Sequence, residues 1–245
     1  MVARHDLSTD PALATALLTV RRGTAFWGRV LDALPDDALD GPSLLPGWSR
    51  RHVVAHVGYN ARAITRLVSW AHTGVETPMY ASPEQRAAEI DEGATQPARA
   101  LRHLSEHAAI TLDVEWRDTP DAVWAREVRT AQGRVVPLTE TVWMRTREVW
   151  LHAVDLSAGL VPGATVSTIP ADVLARLLSD VTAAWARTGA GADLRVEPTD
   201  GAAVPGWDGA PWGEGTTTVR GDLAELTAWA TGRAHPFEAE APRWI

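Results

Sequence analysis

The sequence predicts an α+β protein, a four-helix bundle followed by a small α/β domain. Three observations point there. Four long segments in the first two-thirds carry apolar residues at helical spacing and are separated by polar or turn-rich connections. Beyond residue 160 the chain turns rich in Gly, Pro and Thr, with short β-prone pieces between two helical segments. With 245 residues, 45% of them hydrophobic, there is enough apolar material for two cores. The expected division is residues 1–160 for the bundle and 161–245 for the second domain.

Each element has its own signal. "ALATALLTVRRGTAFWGRVLDAL" is amphipathic and closes in the turn-rich "PDDALDGPSLLPGW". The second helix starts after Ser49, an N-cap residue, and stops at Gly74. A shorter one follows Ser82, with Pro83 at its first position. "PARALRHLSEHAAITLDVEWRD" is the third long helix. "REVRTAQGRVVPL" sets a Gly turn between two β-prone pieces and reads as a hairpin or irregular connection. "TETVWMRTREVWLHAVDLSAG" is the fourth long helix, ending at Gly159. In the second domain, "ADVLARLLSDVTAAWART" is helical, 194–197 and 216–220 are β-prone, and "DLAELTAWATGR" is a short helix capped by Asp222 with Gly232 near its end.

Composition excludes several functions. A formal charge of −8 disfavours nucleic acid, which needs a basic face to neutralise phosphates. No apolar run reaches the length of about 18 residues that reads as a membrane span. The first twenty residues lack the order of basic, apolar and small-residue regions that marks a signal peptide. A cytoplasmic protein with no membrane partner is expected. There is no cysteine, so a metal would be held by His, Asp and Glu, and a thiol nucleophile would have to come from outside the chain.

Glu148 and His152 stand four apart, about 40° from each other around the helix, beside the apolar stripe of Val142, Val149, Ala153 and Leu156. Side chains so placed lean over one turn and can grip one metal ion, or form an ordinary rim hydrogen bond. His52 and His56 offer further ligands. The stripe of their helix runs through Val53, Val57, Ile64, Leu67 and Val68, with His56 roughly 80° from its centre and His52 roughly 120°. His56 is the better inward candidate, and His52 is expected to face water. His103 and His107 form a rival pair that points away from its stripe, His103 solvated and His107 on the rim. His5, His72 and His235 have no ligand pattern around them and read as surface residues. Most of the twelve tryptophans, among them Trp27, Trp70, Trp116, Trp143 and Trp150, sit at spacings that suit packing.

"LLPGWSRRHVVAHVGYNARAI" followed far downstream by "VWMRTREVWLHAVDL" resembles the mycothiol-dependent maleylpyruvate isomerases, within the wider DinB-like metalloprotein superfamily. The resemblance continues through "WAHTGVETPMYASPEQR", "LDVEWRDT", "TAQGRVVP" and "GDLAELTAWATGR", covering nearly the whole chain. The PGW…H and E-x-x-x-H pairing marks the superfamily, whereas "TGVETPMY" and "TAQGR" are specific to the isomerase. It implies a DinB-like bundle with a small C-terminal α/β domain. It also implies a divalent metal, typically zinc, on His56, Glu148 and His152.

The activity implied is cis–trans isomerisation of maleylpyruvate to fumarylpyruvate in gentisate-type aromatic catabolism, with mycothiol as the thiol. Rotation about a double bond is slow until a nucleophile adds to it, and a three-ligand metal leaves a position open for sulfur. The substrate is a small-molecule dicarboxylate, so cationic partners are expected, and Arg86 and Arg233 are the candidates. Arg145 and Arg147, flanking Glu148, rank below them. Three other readings stay open: a mycothiol S-transferase on the same bundle, a non-enzymatic metal- or partner-binding module, and metal-dependent hydrolysis with Asp155 as base.

Overall fold

The computed structural model describes residues 5–200, 204 and 206–244. It divides into two compact units, Met1–Val161 and Pro162–Ile245. The α+β expectation holds.

The first unit contains α1 (Pro11–Ala33), α2 (Arg50–Thr73), α3 (Pro83–Ala94), α4 (Ala98–Arg117), the single turn α5 (Asp121–Trp124) and α6 (Glu140–Ser157). The four long helices are α1, α2, α4 and α6. Their ends lie where short polar and flexible residues allow. The Asp10 carboxylate accepts from the Ala12 amide at 2.8 Å and starts α1. Gly74 adopts the left-handed conformation at φ 76° and ends α2. Ser82 accepts from the Gln85 amide at 3.1 Å and starts α3. Two short elements of this unit had no counterpart in the sequence reading, α5 and a 3-10 turn at Asp36–Asp40.

Helix α2 packs on α4, α3 and α6, and α1 packs on α6. Leu17, Ile64, Leu67, Leu101, Leu112 and Leu156 are fully buried in these seams, each worth about 1.5–3 kcal/mol of transfer free energy. Helix α3 approaches α2 closely because residue 93 is glycine: a β-carbon there would stand 2.7 Å from the Tyr59 ring and 2.9 Å from Ala55. Between α5 and α6, β1 (Glu127–Arg129) and β2 (Val135–Pro137) form the expected antiparallel hairpin, with Val128 opposite Val136. Trp27, Trp116, Trp143 and Trp150 are buried as packing residues, and Trp70 is half-buried.

The loop from 41 to 49 ties α2 to the end of α6. Arg50 is buried, and its Nε donates to the Leu156 carbonyl at 2.8 Å, one of the acceptors left over at the C-terminus of α6. The Leu44 amide donates to the Asp155 carbonyl at 3.1 Å. Gly47, at φ 79°, supplies the left-handed turn that aims Trp48 back at α2.

The second unit has α7 (Ala171–Thr188), β3 (Leu194–Pro198), β4 (Thr217–Gly221) and α8 (Leu223–Ala230). Strands β3 and β4 pair in parallel, with Val196 opposite Val219. Asp222 caps α8 by accepting from the Glu225 amide at 2.7 Å. Trp229 is fully buried between Trp185 and Phe237, at centroid distances of 5.7 and 5.8 Å. Trp207 and Trp212 stack at 4.7 Å and pin the connecting loop, whose Pro205 lies outside the described residues. Among the described residues, no helix is long and apolar enough to cross a membrane.

Candidate metal centre

Helices α2 and α6 bring His56, Glu148 and His152 together. His56 Nε2 lies 2.8 Å from Glu148 Oε2, and His152 Nε2 lies 3.2 Å from the same oxygen. Among the described residues this is the one set of three His, Asp or Glu side chains whose ligand atoms fall within 4.8 Å of one another. Tetrahedral metal bonds of about 2.0–2.1 Å set ligand atoms roughly 3.3 Å apart, so shifts of a few tenths of an ångström would open the cluster around an ion. Two imidazoles and a carboxylate, with no thiolate, form a donor set suited to a divalent transition metal.

His152 is held from behind. Its Nδ1 donates to Asp155 Oδ2 at 2.8 Å, and Asp155 is fully buried. A carboxylate on the far nitrogen fixes the ring's orientation and leaves Nε2 for the ligand. Asp155, the alternative hydrolytic base, is fully buried and gives Oδ2 to His152. The i,i+3 spacing of His152 and Asp155 was the signal in the sequence.

The charges interlock. Burial lowers the His56 pKa more than the neighbouring Glu148 carboxylate raises it. Burial would raise Glu148, but the two imidazoles outweigh it and hold the carboxyl well below its usual range. Burial would also lower His152, yet the Asp155 and Glu148 carboxylates bring it up to about 9. The carboxylates on either side of His152 thus favour its protonated form, and burial disfavours protonation of His56.

Arg86, near the start of α3, joins the cluster by donating from Nη2 to His56 Nδ1 at 3.3 Å. Arg233 lies in the turn after α8 of the second unit, where its Nη1 donates to the Thr231 carbonyl at 2.7 Å. Arg145 is 1% exposed, and its Nη1 donates to the Val57 carbonyl at 2.7 Å and to Asn60 Oδ1 at 3.0 Å. Its Nη2 is buried with no hydrogen-bond partner, and burial lowers the guanidinium to about 10. Helix α6 is buried on nearly every side, so spacing alone could not show that Arg145 points inward.

His52 departs from expectation. It is half-buried and closes the start of α2, its Nδ1 accepting from the Ser49 amide at 3.3 Å. Trp48 lies against both histidines, 5.4 Å edge-on to His56 and 6.2 Å stacked on His52. The PGW motif thus backs the His56 ring. His103 and His107 stack on each other at 3.9 Å on α4 and are both exposed, so His107 is not a rim residue. His5, His72 and His235 are exposed as expected.

Comparison with known proteins gives a consistent result. The family model for the mycothiol maleylpyruvate isomerase N-terminal domain matches residues 20–157, and the model for the C-terminal domain of the same family matches 168–242. A crystal structure of the mycothiol-dependent maleylpyruvate isomerase is 40% identical, covers 95% of this chain and 97% of its own, and superposes with a TM-score of 0.87. A crystal structure of a histidine-to-alanine mutant of that isomerase matches equally well. YfiT from Bacillus subtilis, described as a probable metal-dependent hydrolase with an unusual four-helix bundle topology, matches at 18% identity over 60% of this chain and 87% of its own, with a TM-score of 0.48. No curated protein sequence matched. On both domain matches and on its likeness over nearly the whole length, the chain belongs to the mycothiol-dependent maleylpyruvate isomerase family.

Proposed function

We propose that this protein isomerises maleylpyruvate to fumarylpyruvate, using mycothiol and a divalent metal held by His56, Glu148 and His152. The supporting observation is that cluster, backed by Asp155, in a family member with no cysteine of its own. A divalent ion there, zinc being the best match to two imidazoles and a carboxylate, would lower the pKa of a thiol and supply thiolate at neutral pH.

The substrate has a cis double bond conjugated to a ketone, with a carboxylate at each end. Addition of the sulfur to the carbon β to the ketone makes the double bond single and moves its electron pair onto the ketone oxygen. Rotation then costs little. Return of the pair expels the sulfur and leaves the trans isomer, with no net transfer of a proton.

The chain's residues prepare this chemistry. Asp155 orients His152. Glu148, held ionised, balances the metal charge. Arg86 and Arg233 are the proposed cations for the substrate carboxylates. With His56 Nε2 committed to a metal, a proton on Nδ1 would turn that atom from an acceptor of the Arg86 hydrogen bond into a donor and would free the Arg86 guanidinium for an anion. We place the protein in the cytoplasm, where low-molecular-weight thiols are kept reduced.

The test is a spectrophotometric assay of maleylpyruvate conversion by metal-loaded protein with and without mycothiol. Turnover requiring both is expected. Stoichiometric metal without turnover would overturn the isomerase reading in favour of thiol transfer to another electrophile.

A further inference from the structure

Tyr80 has no part in the chemistry so far, yet the fold holds it at the site. It lies in the loop between α2 and α3. Next to it Met79 is buried, and the Met79 carbonyl accepts from Arg66. On the other side the Ala81 amide donates to Gln85 Oε1 at 2.6 Å, within the cap of α3. The segment is tied down on both flanks while the Tyr80 side chain stays half-buried.

The Tyr80 ring lies under Arg86, whose guanidinium carbon is 5.8 Å from the ring centroid. That same guanidinium reaches His56. Charges on Arg86 and Glu148 act on the phenol. Burial, together with the Glu148 carboxylate, raises the Tyr80 pKa more than Arg86 lowers it, so the hydroxyl keeps its proton beside Arg86. A neutral O–H donor beside a guanidinium, in a half-buried position, is suited to an oxygen that becomes negative during reaction.

Resting on the isomerase reading, we propose that Tyr80 is a further catalytic residue, its phenol O–H donating a hydrogen bond to the substrate ketone oxygen as that oxygen takes up the electron pair. The proton stays on Tyr80 throughout, since the pair returns to the carbon chain when the sulfur leaves. Arg86 serves a carboxylate, whose charge is the same before and after addition. Tyr80 serves the oxygen whose charge changes.

Tyr80→Phe keeps the ring beneath Arg86 and removes the hydroxyl, both as a donor and as an acceptor for Arg86. The expected result is a fall in kcat of about 10²-fold, with KM changed less than about threefold and metal content unchanged. Equilibrium binding supplies a readout independent of turnover. Maleate has two carboxylates and no ketone, whereas the nitronate of 3-nitropropionate carries a fixed negative charge on oxygen. The variant should bind the nitronate about 10-fold or more weakly than the parent and bind maleate equally well. Unchanged kcat and nitronate affinity, or equal losses for both probes, would overturn the proposal by reducing Tyr80 to support for Arg86. A parent protein that binds both probes without converting maleylpyruvate would sink the isomerase reading, while the nitronate difference would still decide whether Tyr80 donates.

Discussion

The pairs Glu148/His152 and His103/His107 share a spacing of four residues and have opposite fates. On α6, Glu148 and His152 meet His56 from α2, with Asp155 bonded behind the ring and Trp48 against His56. On α4, His103 and His107 stack on each other at 3.9 Å and face solvent. The helical spacing is identical. What differs is the facing helix, which brings a third donor, and the buried carboxylate, which holds one ring in a single orientation. Spacing makes a pair, and packing makes a centre.

The largest expected effect separates the two places outright. His56→Ala or His152→Ala should abolish stoichiometric metal binding and lower thiol-dependent turnover by at least about 10³-fold, with helical circular dichroism retained. Metal analysis beside activity checks it, and retained turnover in a metal-free variant would sink the proposed role of the triad. Next comes the support behind the ring. Asp155→Asn keeps the size and removes the charge, so metal affinity should fall by about 10–100-fold. An unchanged Kd would mean that the Asp155 carboxylate has no part in building the centre.

A third effect is pH dependence. His152 sits at about 9, and its Nε2 proton must leave when a metal binds. Apparent metal affinity should therefore rise by about tenfold per pH unit between roughly 7 and 9, with about one proton released, measurable by calorimetry in two buffers. In the metal-free protein the sign is reversed. A histidine raised from 6.5 to about 9 contributes stability fully present below about 6.5 and lost as pH rises through 9. Glu148, held low, contributes stability present above about 4.5 and lost as pH falls. The smallest effect sharpens the contrast from the other side. His103→Ala with His107→Ala should leave turnover unchanged and alter stability by less than about 1 kcal/mol, read from chemical denaturation.

Much of the bundle was legible along the chain. Ser49, Gly74 and Ser82 mark helix ends because their effect is local, one side chain or one backbone angle acting on adjacent amides. The preference for His56 over His52 followed from the angle to a stripe that is buried throughout. His52 was legible only as a residue off that stripe, since its bond to the Ser49 amide depends on a rotamer. Helix α6 hid more. Arg145, Asp155 and Thr146 are all buried, so its inward face cannot be told from its apolar residues alone.

The sequence by itself determined the helices and their ends, the absence of a thiol, and the spacing of Glu148, His152 and Asp155 over about two turns of one helix, because each depends on residues within a few positions of one another. The tertiary structure decided which histidine faces Glu148, which rotamers join Asp155 to His152, and that Arg86 reaches His56 from above the Tyr80 ring. Those contacts join residues up to 92 positions apart or depend on rotamers chosen by packing, and a helix fixes the direction of a side chain without fixing what it meets.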